Sequence, residues 1–121
     1  MIQSFTGLEA WKEGHKLALT VYQITENFPD KERFGLISQL RRAAVSVTSN
    51  IAEGFNRGDV KDKIRFYLFS RGSLAEIQNQ LLIAKDIGFL KKEEFENIAQ
   101  KTILVHKLLN GLIKSLNRFI K

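Results

Sequence analysis

The chain has 121 residues, 44% of them hydrophobic, and no Cys; 19 Lys and Arg against 13 Asp and Glu leave a net charge of +6. That length makes one domain with a real core, and the missing Cys excludes disulfides and thiolate metal sites. No apolar run reaches the length of a membrane span, and the opening MIQSFTGLEAWKEGHK lacks the basic-then-apolar layout of a signal peptide, so the expectation is a cytoplasmic protein.

A single Pro favours long helices, and the pattern reads as four of them. The first is expected over about 8–28. Thr6 and Glu9 have capping-box spacing. Leu8, Trp11, Ala18, Tyr22 and Thr25 lie near one side, and Leu17, Val21, Ile24 and Phe28 widen the apolar arc to that of a helix with two neighbours. His15 falls beside Trp11 and Tyr22, as an edge residue of the core rather than a ligand. Pro29 pushes Phe28 out of the helical region and ends the helix.

The second helix is expected over about 34–53. Ile37, Leu40, Ala44, Val47 and Ile51 alternate steps of three and four, the seam one helix presents to another. Gln39, Arg42, Ser46, Ser49 and Glu53 repeat the rhythm on the opposite face. These are small or hydrogen-bonding residues, either a polar exterior or a stripe that meets a neighbouring subunit. Gly54 is placed to cap the helix end, and Asp59, after the loop FNRGD, to cap the start of the third helix.

The third helix, about 60–87, has a core face of Phe66, Tyr67, Leu74, Ile77, Leu81 and Ala84. It also has a second stripe of Ile64, Leu68, Ala75 and Leu82. A helix apolar on two sides is buried on two sides, which argues for a homo-oligomer. Ser70, Gly72 and Ser73 mark the expected site of the tightest helix crossing. Glu76 at the border of the core needs a cation if buried, and Arg41 and Arg42 are the candidates. Gly88 closes this helix, with Phe89 and Leu90 packing the turn.

The fourth helix is expected over about 92–119. Glu93, Glu94 and Glu96 occupy its first turns, where the macrodipole favours anions. Phe95, Ile98, Val105, Leu108, Leu109, Leu112, Leu116 and Phe119 form its core side. Beyond Glu96 there is no acidic residue, and Lys107, Lys114, Arg118 and Lys121 share one ridge. Short links between four helices predict an all-α, antiparallel up-down-up-down bundle.

Nothing in the sequence points to catalysis. There is no glycine-rich phosphate loop, HExxH or Glu-x-x-His pair; His15 and His106 lie on different helices, and Ser46, Ser49 and Ser73 lack an identifiable base. The expectation is a non-enzyme with no cofactor, no metal and no catalytic residue. What remains is a cationic surface: Arg57, Lys61, Lys63 and Arg65 after the second loop, with Lys107, Lys114 and Arg118 on the fourth helix. As a set, and with a +6 balance, they fit phosphate contacts of RNA or DNA, against the alternative of a solvated charged face. No exposed aromatic set is expected among them, so single-strand stacking is not indicated. Arg41, Arg42, Ser46, Asn50, Glu53, Ser73 and Glu76 are expected to form a structural polar network or a subunit contact.

Two stretches, Gln39-Leu40-Arg41-Arg42-Ala43-Ala44-Val45-Ser46 and Ser49-Asn50-Ile51-Ala52-Glu53-Gly54-Phe55, together with Gly72-Ser73-Leu74-x-Glu76 and the run from Leu81 to Leu90, resemble the bacterial four-helix-bundle family also called the 23S rRNA intervening-sequence or S23 family. The similarity spans nearly the whole chain. Thr48 stands where the family commonly has Pro. The resemblance implies an antiparallel bundle assembled into a ring, typically a pentamer, with no catalytic residues. A related branch, the accessory protein of diversity-generating retroelements, is similar in binding nucleic acid and a reverse transcriptase. The sequence reading is therefore a basic, ring-forming, nucleic-acid-binding bundle, or alternatively a protein-interaction scaffold, for example for a reverse transcriptase. No membrane partner is expected.

Overall fold

Four long helices account for most of residues 2–120, the part of the chain that the computed structural model describes, and no strand occurs among them. Helix α1 spans Glu9–Thr25, α2 Leu36–Phe55, α3 Val60–Asp86 and α4 Lys92–Asn117; short 3₁₀ turns lie at Phe5–Gly7 and Asp30–Glu32. None of the four is long and apolar enough to cross a membrane.

The helix ends follow local hydrogen bonding. Helix α1 stops at Thr25, three residues before the expected Phe28, because Glu26, Asn27 and Phe28 donate to carbonyls only three residues back. That tighter turn unwinds the helix ahead of Pro29. The expected capping box is absent. Ser4 instead caps the 3₁₀ turn, its Oγ accepting from Thr6 N–H at 3.2 Å, and Leu8 at the N-cap of α1 has no side chain to offer. Asp59 occupies the N-cap of α3 but makes no side-chain cap bond. Gly54 is not a cap either, since α2 continues through it to Phe55. Gly88 behaves as expected. Its φ of +89° is the left-handed conformation that glycine adopts freely, and it lets Phe89 N–H reach Ala84 O at 2.8 Å and Gly88 N–H reach Lys85 O at 3.1 Å. Those two bonds close a Schellman motif. At the start of α4 the Glu94 carboxylate accepts from Lys91 N–H at 3.0 Å.

Each helix packs on two others, α1 and α3 both touching α2 and α4. The shared core is Leu17 and Val21 from α1, Leu40, Val47 and Ile51 from α2, Leu74, Ile77 and Leu81 from α3, and Ile98, Val105 and Leu109 from α4, all fully buried. Each such side chain contributes about 1.5–3 kcal/mol through its burial. Three residues expected on core faces lie elsewhere, and the first, Tyr22, is exposed beneath the Arg41 guanidinium. Phe119 follows the last turn of α4 and is 73% exposed. Phe66 stays outside the core cluster, on a border of α3.

The closest approach is between α2 and α3. Ser70 is fully buried and donates to Val47 O at 2.7 Å, and Ser46 and Ser73 share a 2.8 Å hydrogen bond. Gly72, expected in this crossing, instead faces open space; the glycine that matters is Gly54, where a methyl group would lie 2.8 Å from Tyr67 Cε1 and 3.1 Å from Phe66 Cβ. Burial of Tyr67 pushes its phenol pKa up from the ordinary value.

Two substitutions should therefore have opposite signs. Gly54→Ala overpacks the α2–α3 seam and should destabilise the fold by about 1–3 kcal/mol. Gly72→Ala, with nothing within 4 Å of the added methyl, should stabilise α3 by about 0.5–1 kcal/mol. Denaturant unfolding of the two variants beside the parent chain measures both.

Candidate nucleic-acid interface

Lys63 folds back over the short connection after α2. Its ammonium donates to Phe55 O at 2.6 Å and lies 5.5 Å from the Phe55 ring centroid. It thereby neutralises the negative end of the α2 dipole, the expected place for a cation at a helix C-terminus. Lys63 is structurally engaged, its charge held over the end of α2.

The other cations of this cluster are more open. Arg57 is paired with Glu53 at 3.3 Å and lies 4.7 Å above the Phe66 ring. Arg65 is paired with Asp62 at 3.3 Å and lies 5.1 Å from Phe66 and 5.8 Å from Phe69. Both ion pairs are solvent-exposed, where such contacts are worth at most about 1 kcal/mol. Lys61 is exposed.

On α4, Lys107, Lys114 and Arg118 are all exposed. Among the described residues, none of these three, nor Lys61, takes part in an ion pair or side-chain hydrogen bond. Lys121, the last residue of the expected ridge, lies outside the described residues.

Most of the two basic sets lies toward the same end of the bundle. Arg71 of α3 donates to Asn110 of α4 at 2.9 Å, and Gln78 donates to Thr102 at 3.2 Å. Extended along both helices at 1.5 Å per residue, that pairing brings Lys114 and Arg118 to the axial level of the first two turns of α3, which carry Lys61 and Arg65, and Lys107 to the level of Ser73 near the middle of α3. Elsewhere, near the α1–α2 and α3–α4 connections, Glu26, Asp30, Glu32, Asp86, Glu93, Glu94 and Glu96 offset Lys31, Arg33, Arg41, Lys85, Lys91 and Lys92. The positive excess is thus concentrated, not spread.

Of the expected polar network, part assembles. Ser46, Ser73 and Asn50 form one hydrogen-bonded group, with Asn50 Nδ2 donating to Ser46 O at 2.9 Å and to Ser46 Oγ at 3.1 Å. Arg42 reaches Glu76 at 3.6 Å, with the Glu76 side chain 48% exposed. Arg41 points the other way, toward α1: its Nε donates to Thr25 Oγ1 at 2.9 Å and its guanidinium lies 4.6 Å over the Tyr22 ring. Glu53 pairs with Arg57, outside this network. The α2 stripe that was open to two readings is divided, with Ser46 facing α3 and Gln39, Arg42, Ser49 and Glu53 exposed.

The sequence reading missed the aromatics. Phe69 is 49% exposed and packs edge-to-face on Phe66 with centroids 5.7 Å apart. The arginines therefore do have an exposed aromatic neighbour, contrary to expectation. The signal was present in the spacing, since Arg65 and Phe69 are four residues apart on one helical face. His15 is exposed and stacked on Trp11 at 4.8 Å, a packed edge residue as expected. Among the described residues no group of His, Asp and Glu could hold a metal ion.

The sequence model of the 23S rRNA-intervening sequence protein family matches residues 6–111. Four chains of solved structures are similar in fold. One is a protein of unknown function from the S23 ribosomal protein family of Bacteroides thetaiotaomicron VPI-5482, 20% identical, with a TM-score of 0.78 over 87% of this chain and 98% of that one. No curated protein matches the chain.

The contacts separate structural from free cations. Lys63→Gln should cost about 1 kcal/mol by uncapping α2. Lys107→Gln and Lys114→Gln should leave stability within about 0.5 kcal/mol of the parent. Thermal melting monitored by circular dichroism distinguishes the two groups.

Proposed function

The chain belongs to the 23S rRNA-intervening sequence protein family, and from that premise we propose that it is a non-enzymatic, cytoplasmic, homo-oligomeric bundle that binds the phosphate backbone of RNA or DNA through one basic end. The observation that carries this reading is the concentration of exposed cations there, Lys61, Lys114 and Arg118 without partners among the described residues and Arg57 and Arg65 in weak surface pairs, with the equally unpaired Lys107 two turns before Lys114 on α4. Clustered cations without a base-reading element bind polyanions by counterion release, with little sequence preference. Lys63 contributes to the local potential while holding the loop.

The bundle is read as antiparallel, up-down-up-down. Support comes from paired contacts in which numbers rise along one helix as they fall along the next: Arg42 with Glu76 and Ser46 with Ser73, then Arg71 with Asn110 and Gln78 with Thr102. The ring is read from the outer face of α3. Leu68, Gly72, Ala75, Asn79 and Leu82 step by four and three and are all exposed. That is a helix-packing seam with no helix on it. A second copy of the chain would cover it, as in a pentamer. The same seam favours a second reading, in which the protein is a scaffold for another protein such as a reverse transcriptase and does not itself touch nucleic acid.

Two measurements test these readings. Apparent affinity for a mixed RNA pool should fall by about two to four orders of magnitude between about 50 and 200 mM salt, as expected for roughly four to seven phosphate contacts. A flat salt response leaves the scaffold reading. Light scattering should give a mass near that of a pentamer, and Gly72→Leu should reduce that mass without unfolding the bundle, because the added side chain meets open space within one subunit. A monomeric parent chain would remove the ring.

A further inference from the structure

One aromatic pair is not used by the core. Phe66 and Phe69 lie on consecutive turns of α3, outside the hydrophobic core, and Phe69 is half exposed. Their rings meet nearly at right angles, 87°, with centroids 5.7 Å apart. Phe66 is flanked by two guanidiniums, Arg57 at 4.7 Å and Arg65 at 5.1 Å, while Phe69 has only Arg65, at 5.8 Å. Phe69 thus keeps the more open surface, backed by Phe66 edge-on. Lys61 stands exposed one turn before Arg65.

Each arginine turns one side of its fork to an exposed carboxylate, Glu53 or Asp62, at 3.3 Å. A guanidinium has five N–H donors, so donors remain for a phosphate, and exposed carboxylate pairs yield readily to one.

We propose that Phe69, backed by Phe66 and flanked by Arg65, with Arg57 against Phe66 and Lys61 one turn before Arg65 as further cations, is a stacking site for one base of an unpaired nucleic-acid strand. This rests on the phosphate-binding reading and adds to it the class of strand that is bound. Phosphate contacts alone have no use for an exposed phenyl ring. A duplex keeps its bases stacked on one another and offers no free base face, whereas a single strand offers a π-face at every nucleotide and its phosphates to the flanking cations. The site selects strandedness and not sequence, because every base has such a face.

The test compares a short labelled oligouridine with a labelled duplex of equal length, by fluorescence anisotropy on the full chain at low salt. Phe69→Ala should weaken oligouridine binding about 5- to 100-fold while changing duplex binding far less. Phe69→Trp should restore or tighten it. Neither variant should alter the salt slope, since no charge changes, nor the solution mass or melting temperature. Unchanged oligouridine binding in Phe69→Ala overturns the site and leaves the phosphate reading standing. An altered mass with unchanged binding also overturns it, and places Phe69 in a subunit contact. If neither oligonucleotide binds the parent chain in a salt-dependent way, the site and the phosphate reading fall together.

Discussion

The close approach of α2 and α3 governs the rest of the molecule. Two helices this near need small side chains along the shared seam, and this pair has Ala43, Ser46, Gly54, Ser70 and Ser73. Burying hydroxyls would be costly if they were unpaired. Here Ser46 and Ser73 satisfy one another and Ser70 donates to the Val47 carbonyl. The seam is therefore both tight and specific, since sliding one helix along the other would break these bonds together. Its lower end fixes the surface beyond it. Gly54 allows Tyr67 and Phe66 to lie against α2, and Phe66 in that position receives Arg57 from the following loop. A packing constraint inside the bundle thus decides where the exposed arginines stand.

The helices were legible because their signals are long-ranged. Leu40, Ala44, Val47 and Ile51 repeat at heptad spacing over several turns, and all are buried. The turn at Gly88 was legible because only one backbone conformation suits that glycine there. The caps were legible only in part, since Asp59 takes the N-cap position of α3 without a side-chain bond, while at Thr6 and Gly54 the right residue type stood at a plausible place but local geometry went elsewhere. Glycine shows the difficulty well. Gly54 and Gly72 look alike in sequence, yet one is pressed against Tyr67 and the other faces open space. Only the placement of the neighbouring helix separates them.

The candidate interface was legible as a set of charges but not as a set of contacts. Lys63 and Lys61 are indistinguishable by composition, but one caps α2 and the other is exposed. Arg41 and Arg42 are adjacent in the chain and serve different helices, one holding α1 and the other meeting Glu76 on α3. A step of about 100° around a helix sends consecutive residues to different neighbours. Half-exposure of Phe69 was hidden for a similar reason. Its spacing to Arg65 placed it on the cationic face, but the extent of its exposure depends on how α3 packs in the bundle.

The concentration of positive charge at one end, with near-balance at the other, has a kinetic side. A molecule charged in this lopsided way carries a large dipole along its helices. In the field of a polyanion it turns before it touches, so that a greater share of collisions arrive with the right end forward. At physiological salt that field is felt over only about 8 Å, roughly the last turn and a half of approach measured along a helix. For the polyanion binding proposed above, orientation is therefore a short-range event, settled within the final layers of water, and added salt would slow capture as well as weaken it.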